Sequence, residues 1–262
     1  METRRIFNLI LLLLGLYLLV VVLLFIFQRT LIYFPTPEYP HSYRQISLQN
    51  ENVSIEIIVV NEDNNKAFIY FGGNAEAVIA NAQDFSFAFP NRTIYLVNYR
   101  GYGGSTGKPT EAGLFSDALG LFDKIQNDHT EIAVIGRSLG TGVAMYLAAN
   151  RAVDQVVLIT PYDSILALAQ NRFPIFPMSF LLKDKFDSFS LANDVKNDVL
   201  IIAGAKDTLI PNKHTQRLVN ELGLEHTKLI LIDEAGHNDI SQYPVFYRSI
   251  KAFLNSNNNL AK

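Results

Sequence analysis

The chain has 262 residues, 49% of them hydrophobic and 18% charged, with a net charge of -3 at pH 7. That length and apolar content suit one α/β domain with an appendage. The charge offers no basic face for nucleic acid. With no cysteine there is no disulfide frame, thiolate nucleophile, thiolate metal site or palmitoylation site.

Residues 6–27 form an apolar run broken only by Asn8, Gly15 and Tyr17. About 20 residues cross a bilayer, so the run reads as a transmembrane helix. A cleaved signal peptide has a shorter apolar region, about 7–15 residues, and a small-residue cleavage site that is missing here. Gln28-Arg29 and Tyr33-Phe34 then read as an interfacial anchor. Arg4, Arg5 and the free amine outweigh Arg29 beyond the run. That bias predicts residues 1–5 on the cytoplasmic side and the large domain on the outer, periplasmic or lumenal side. Pro35, Pro37 and Pro40 predict a stiff, proline-rich spacer over 28–43.

Residues 44–48 and 53–60 read as two strands, the second alternating like a half-exposed sheet edge. A buried strand over 67–71 ends at Gly72-Gly73-Asn74. A helix over 75–87, a strand over 93–98, a glycine-rich loop over 99–110 and an amphipathic helix over 116–127 follow. Next come a strand over 131–135 and a helix over 141–149. After them come strands over 155–160, 199–204 and 228–232, with helices over 211–222 and 243–254. The alternation predicts a mostly parallel twisted sheet covered by helices on both faces, within a domain over 44–255. Residues 256–262 read as a polar tail. The segment 161–190 breaks the rhythm. It is short and apolar, and Pro174 and Pro177 prevent a regular helix there. It reads as a cap, with Phe173, Phe176 and Met178 expected to line a substrate groove.

The stretch Gly136-Arg137-Ser138-Leu139-Gly140 is a G-x-S-x-G motif between the strand over 131–135 and the helix over 141–149. Strand, motif and helix together are the context of a nucleophile elbow, with Ser138 as nucleophile. A serine hydroxyl needs a base, and a histidine held by a carboxylate supplies one. Of five histidines, His237 lies in a glycine-containing loop just past the last strand, where it can swing over the sheet edge. His214 and His226 lie in or beside a helix. Asp207 leaves the strand over 199–204 and fits the acid, with Asp163 and Asp233 as rivals. For an oxyanion, backbone N–H donors are expected from Leu139 and from the loop after residue 71, where Asn74 is preferred and Gly73 next. The loop Arg100-Gly101-Tyr102-Gly103-Gly104-Ser105 lacks a phosphate-binding pattern and reads as structural.

These residues resemble the α/β-hydrolase superfamily. The likeness is to the single-pass membrane-tethered branch that includes abhydrolase-domain depalmitoylases and related bacterial hydrolases. That branch is itself similar to prolyl-oligopeptidase-like and dienelactone-hydrolase-like enzymes. The matching stretches are 70–75, 98–107, 136–140, 184–188, Asp207 and Gly236-His237-Asn238. The resemblance implies Ser138 as nucleophile, Asp207 as acid and His237 as base. It implies no cofactor and no metal. Two departures stand out. Gly72 occupies the place where the family carries a loop-shaping histidine, and an apolar span replaces the acylated cysteine cluster, so protein depalmitoylation is not implied. The expected activity is that of a membrane-anchored serine hydrolase cleaving an ester, thioester or amide, esterase- or thioesterase-like more than peptidase-like, with a small acyl substrate of lipid-like character. The other reading is a non-catalytic, membrane-tethered binding or scaffold module of the same fold. The order Ser, Asp, His favours the enzyme.

Overall fold

The computed structural model describes residues 1–256, so the polar tail lies, past Ser256, outside the described residues. The chain opens with helix α1 (Glu2–Ile32), then strands β1 (Arg44–Asn50), β2 (Val53–Val60) and β3 (Lys66–Phe71). Helix α2 (Ala82–Ala88) follows a 3-10 turn at Val78–Asn81. Then come β4 (Thr93–Val97), α3 (Glu111–Ile125), β5 (Glu131–Arg137), α4 (Leu139–Asn150) and β6 (Val156–Ile159). The cap holds the short helices α5 (Ile165–Arg172), α6 (Met178–Leu181) and α7 (Ser188–Leu191). The order β7 (Val199–Gly204), α8 (Asn212–Leu222), β8 (Thr227–Ile232), α9 (Pro244–Asn255) closes the fold. The interruption between α5 and α6 falls on 173–177, where the two prolines stand.

The strands form one eight-stranded sheet in the order β1-β2-β4-β3-β5-β6-β7-β8. β1 and β2 pair antiparallel, and β2 pairs antiparallel with β4; every later pair is parallel. Burial explains the difference in sequence pattern. β4 and β7 are buried at every residue, as parallel strands covered on both faces must be, whereas β1 alternates at the edge. One core on one face packs α3, α4 and α8 through Leu121, Val143 and Leu218. A second core on the other face packs α2 and α9 through Phe85, Phe246 and Ile250.

Strand order reverses between β3 and β5, and a ligand crevice belongs at the carboxyl ends there. The register pairs Phe71 with Gly136. The loop after β3 therefore emerges level with Ser138, which follows β5.

Helix α1 is long and apolar enough to cross a membrane. Its side chains are largely exposed, and Gln28 is the buried exception. The helix runs five residues past the expected span, to Ile32, so the stretch expected as the start of an extended spacer is helical and docked. Gln28 Nε2 donates to Leu181 O at 3.0 Å, and its Oε1 accepts from Lys183 N at 2.6 Å. Arg29 pairs with Asp184 at 3.0 Å. Tyr33 is buried, and its hydroxyl donates to Asp184 at 3.1 Å. Burial, reinforced by the Asp184 charge, pushes the Tyr33 phenol far above the usual tyrosine range, so it stays a donor. The polar residues after the apolar run thus hold α1 against the cap.

Candidate active site

Ser138 sits between β5 and α4 with φ 48° and ψ -115°, a strained backbone for a residue with a side chain. The flanking glycines make this possible. A Cβ on Gly136 would press on the carbonyl of Gly140, and one on Gly140 would overlap the carbonyl of Phe71. The helix must approach β3 and β5 that closely for the serine to stand clear of both.

His237 stands five residues past β8, and Asp207 three past the neighbouring β7. His237 Nε2 lies 2.9 Å from Ser138 Oγ, and Nδ1 lies 2.7 Å from Asp207 Oδ2. The other Asp207 oxygen accepts from the backbone N–H groups of Leu209 and Ile210 at 2.9 and 2.8 Å. Asp207 therefore makes its own turn and still offers one oxygen to His237. The structure brings all three predicted residues together. The rival Asp163 goes elsewhere: it meets His214 Nδ1 at 2.8 Å and Arg217 at 3.1 Å.

The loop after β3 is held by Glu76, which sequence reasoning missed. Glu76 accepts from Gly73 N at 2.6 Å, from Tyr70 Oη at 2.6 Å and from Asn81 Nδ2 at 2.7 Å, and it pairs with Arg137 at 3.2 Å. Its carboxylate occupies the Gly73 N–H, leaving the Asn74 N–H without an acceptor among the described residues. Ala75 turns the chain with φ 57°. Leu139 opens α4, so its N–H has no carbonyl one turn earlier within the helix. Both residues face the same cavity as Ser138.

Asn74 also carries a link that no local pattern announces. Its Nδ2 donates to Ile32 O, the last residue of α1, at 2.5 Å. Its Oδ1 accepts from Phe34 N and from Tyr102 Oη, both at 2.9 Å. Burial pushes the Tyr102 phenol up to about 12, keeping it a donor. Through Tyr102 the glycine-rich loop over 99–110 supports this corner, in keeping with its structural reading.

Above Ser138 lies a cavity of about 980 Å³, bounded by the cap, the 208–213 loop and the end of α1. Leu24 and Leu31 contribute from α1; Ile165, Leu168, Phe173, Met178 and Leu181 contribute from the cap. Phe173 and Met178 line the cavity. Phe176 does not: its ring stacks on Tyr17 of α1, 5.3 Å away and within 7° of parallel. Turning outward to α1 removes it from the groove, and α1 side chains take the wall it was expected to form. Among the described residues no group of His, Asp and Glu is arranged to hold a metal ion.

The family described as serine hydrolase (FSH1) matches residues 56–238, a stretch that includes Ser138, Asp207 and His237. The Mycobacterium tuberculosis protein Rv2307c is 31% identical over 231 residues, 81% of each chain. The bem46 protein of Schizosaccharomyces pombe is 26% identical over 264 residues, 89% of this chain and 88% of its own. Human alpha/beta hydrolase domain-containing protein 17B is 30% identical over 168 residues, 63% of this chain and 57% of its own. Among solved structures, the esterase Pf2001 of Pyrococcus furiosus is similar with a TM-score of 0.67 at 20% identity, over 84% of this chain and 98% of that one. The meta-cleavage product hydrolase CumD of Pseudomonas fluorescens is similar with a TM-score of 0.63 at 17% identity, over 80% and 97%. At those identities the structures speak for the fold.

Proposed function

Because the chain belongs to the serine hydrolase (FSH1) family and has the α/β-hydrolase fold, we propose that it is a membrane-anchored hydrolase cleaving an acyl ester or thioester by a Ser138-His237-Asp207 triad. The observation that carries the mechanism is the hydrogen-bonded line from Ser138 through His237 to Asp207, at 2.9 and 2.7 Å. His237 Nε2 takes the hydroxyl proton as Ser138 Oγ attacks the carbonyl carbon. Asp207 orients the ring and stabilises the imidazolium. The N–H groups of Asn74 and Leu139 receive the oxyanion, and His237 returns its proton to the leaving group. An acyl-Ser138 intermediate remains, and water attacks it with His237 again as base.

The apolar cavity beside an apolar anchor supports an acyl chain as the substrate's distinguishing part. Burying it contributes about 0.8 kcal/mol per methylene. In this reading α1 spans the membrane with residues 1–5 cytoplasmic and the hydrolase domain on the opposite side, which protease protection of sealed vesicles tests. The activity test uses the full chain. A fluorophosphonate probe is expected to label the wild type and not Ser138→Ala. kcat/KM is expected to rise from acetyl to medium-chain p-nitrophenyl esters, and Met178→Ala is expected to flatten the rise. Labelling that survives Ser138→Ala, or a preference for acetyl, would overturn the corresponding half of the proposal.

A further inference from the structure

We infer that the tip of the cap, residues 173–180, is inserted in the same lipid leaflet as the second half of α1, and that the cavity takes its acyl chain sideways from a lipid resident there. This rests on the hydrolase reading above and on α1 as a membrane span.

The carrying observation is the treatment of the cap backbone. Residues 173–177 are not helical, and irregular backbone at membrane depth must have its polar groups satisfied by the protein. Each carbonyl from Phe173 to Pro177 is, and of the N–H groups there those of Phe173 and Phe176 are. The N–H groups of Phe176 and Met178 donate to Phe173 O and Phe176 O at 3.1 and 2.9 Å, and Gln170 Nε2 reaches Pro174 O at 3.3 Å. The Tyr17 hydroxyl of α1 donates to Ile175 O at 3.0 Å. The N–H groups of Phe180 and Leu181 reach Pro177 O at 3.1 and 3.2 Å. Pro174 and Pro177 have no N–H to satisfy. Carbonyls held in this way need no water.

The side chains say the same. Phe180 is 86% exposed, Ile175 71% and Phe173 39%. An apolar patch of this kind on a soluble surface marks an interaction site, and this one adjoins the exposed apolar face of α1. The level is set by α1 itself. Tyr17 lies eleven residues before Gln28, about 16 Å along the helix at 1.5 Å per residue, or roughly half of a ~30 Å hydrocarbon core. At the Gln28 level the polar groups gather: Arg29 pairs with Asp184, and Lys183 Nζ sits 4.5 Å from the centre of the Phe25 ring. That band suits headgroups, and residues 173–180 are apolar except for Ser179. Because Leu24 of α1, on the apolar side of that band, and Phe173 of the cap both line the cavity, the cavity is bounded on its lipid side by the seam between the two elements.

The chain contains no tryptophan, so Phe180→Trp in the full chain creates a single reporter. In vesicles of phosphatidylcholine brominated along its acyl chains, its emission is expected to be blue-shifted and strongly quenched, and to ignore aqueous iodide. Quenching by iodide and not by bromolipid would overturn the insertion. So would protection from both, which would mean that a second copy of the chain covers the patch. In a second arm, Phe180→Asp and Ile175→Asp are expected to lower turnover of a long-chain ester embedded in vesicles about tenfold, a charge being costly within lipid. Turnover of p-nitrophenyl acetate in water is expected to stay at the wild-type rate. Equal loss on both substrates, or loss on neither, would overturn lateral entry. If the wild type turns over neither ester, the hydrolase reading falls, while the quenching measurement still decides the insertion.

Discussion

Among the described residues, two histidine–aspartate pairs meet within hydrogen-bond distance at the carboxyl end of this sheet, and only one faces a hydroxyl. His237 and Asp207 leave adjacent strands and meet at 2.7 Å, with Ser138 Oγ 2.9 Å from the other ring nitrogen. His214 and Asp163 meet at 2.8 Å, and there the other ring nitrogen faces the amide nitrogen of Asn171 at 2.7 Å. The Asn171 amide proton is not one a neutral imidazole can remove, and Arg217 shares the Asp163 carboxylate. A histidine–aspartate pair can relay a proton only where a nucleophile stands against its free ring nitrogen. Elsewhere the same pair is a cross-brace, here tying α8 to the start of the cap.

The largest test of this contrast compares the two aspartates. Asp207→Asn is expected to lower kcat by about 10³–10⁴, because the ring loses the acceptor that holds its tautomer. Asp163→Asn is expected to keep kcat close to wild type while losing about 1–3 kcal/mol of stability, from buried partners left unpaired. Parallel steady-state kinetics and thermal melts decide it, and a dead Asp163→Asn beside an active Asp207→Asn would reverse the assignment.

A smaller effect is expected at Asn74. Asn74→Ala keeps the backbone N–H but cuts the side-chain ties to Ile32, Phe34 and Tyr102. kcat is expected to fall about tenfold with little change in KM, since an oxyanion donor acts mainly in the transition state and a displaced one forfeits part of that stabilisation. An equal rise in KM would instead mean that the loop shapes the substrate site. The smallest effect is expected for His214→Gln, which keeps a polar group against Asp163. About 1 kcal/mol of stability is expected to go, with an unchanged pH profile of kcat. A shifted profile would bring His214 into the chemistry.

The legibility of these features follows from how local their causes are. The buried strands over 67–71, 93–97 and 199–204 were readable because parallel strands covered on both faces must be apolar along their length. The helix over 75–87 was less so. Its first turns are a 3-10 segment and a loop held by Glu76, and nothing in the spacing of that glutamate advertises its bond to Gly73. Phe176 was misplaced for a related reason: an apolar side chain in a proline-broken cap has no periodicity to aim it, and contact with Tyr17, 159 positions earlier, turned it away from the groove.

The amino-acid sequence by itself determined the α/β class, the elbow serine, the order of the three polar residues and the apolar length of α1. Each depends on near neighbours: strand periodicity, glycines that admit a strained turn, and a run long enough for a bilayer. Only the tertiary structure decided which aspartate meets which histidine, which N–H of the loop after β3 stays free, and that the end of α1 forms a wall of the cavity. Those outcomes depend on register between strands and on packing between distant segments. Composition is blind to both, because the same Asp, His or Phe serves either role according to what the fold sets opposite it.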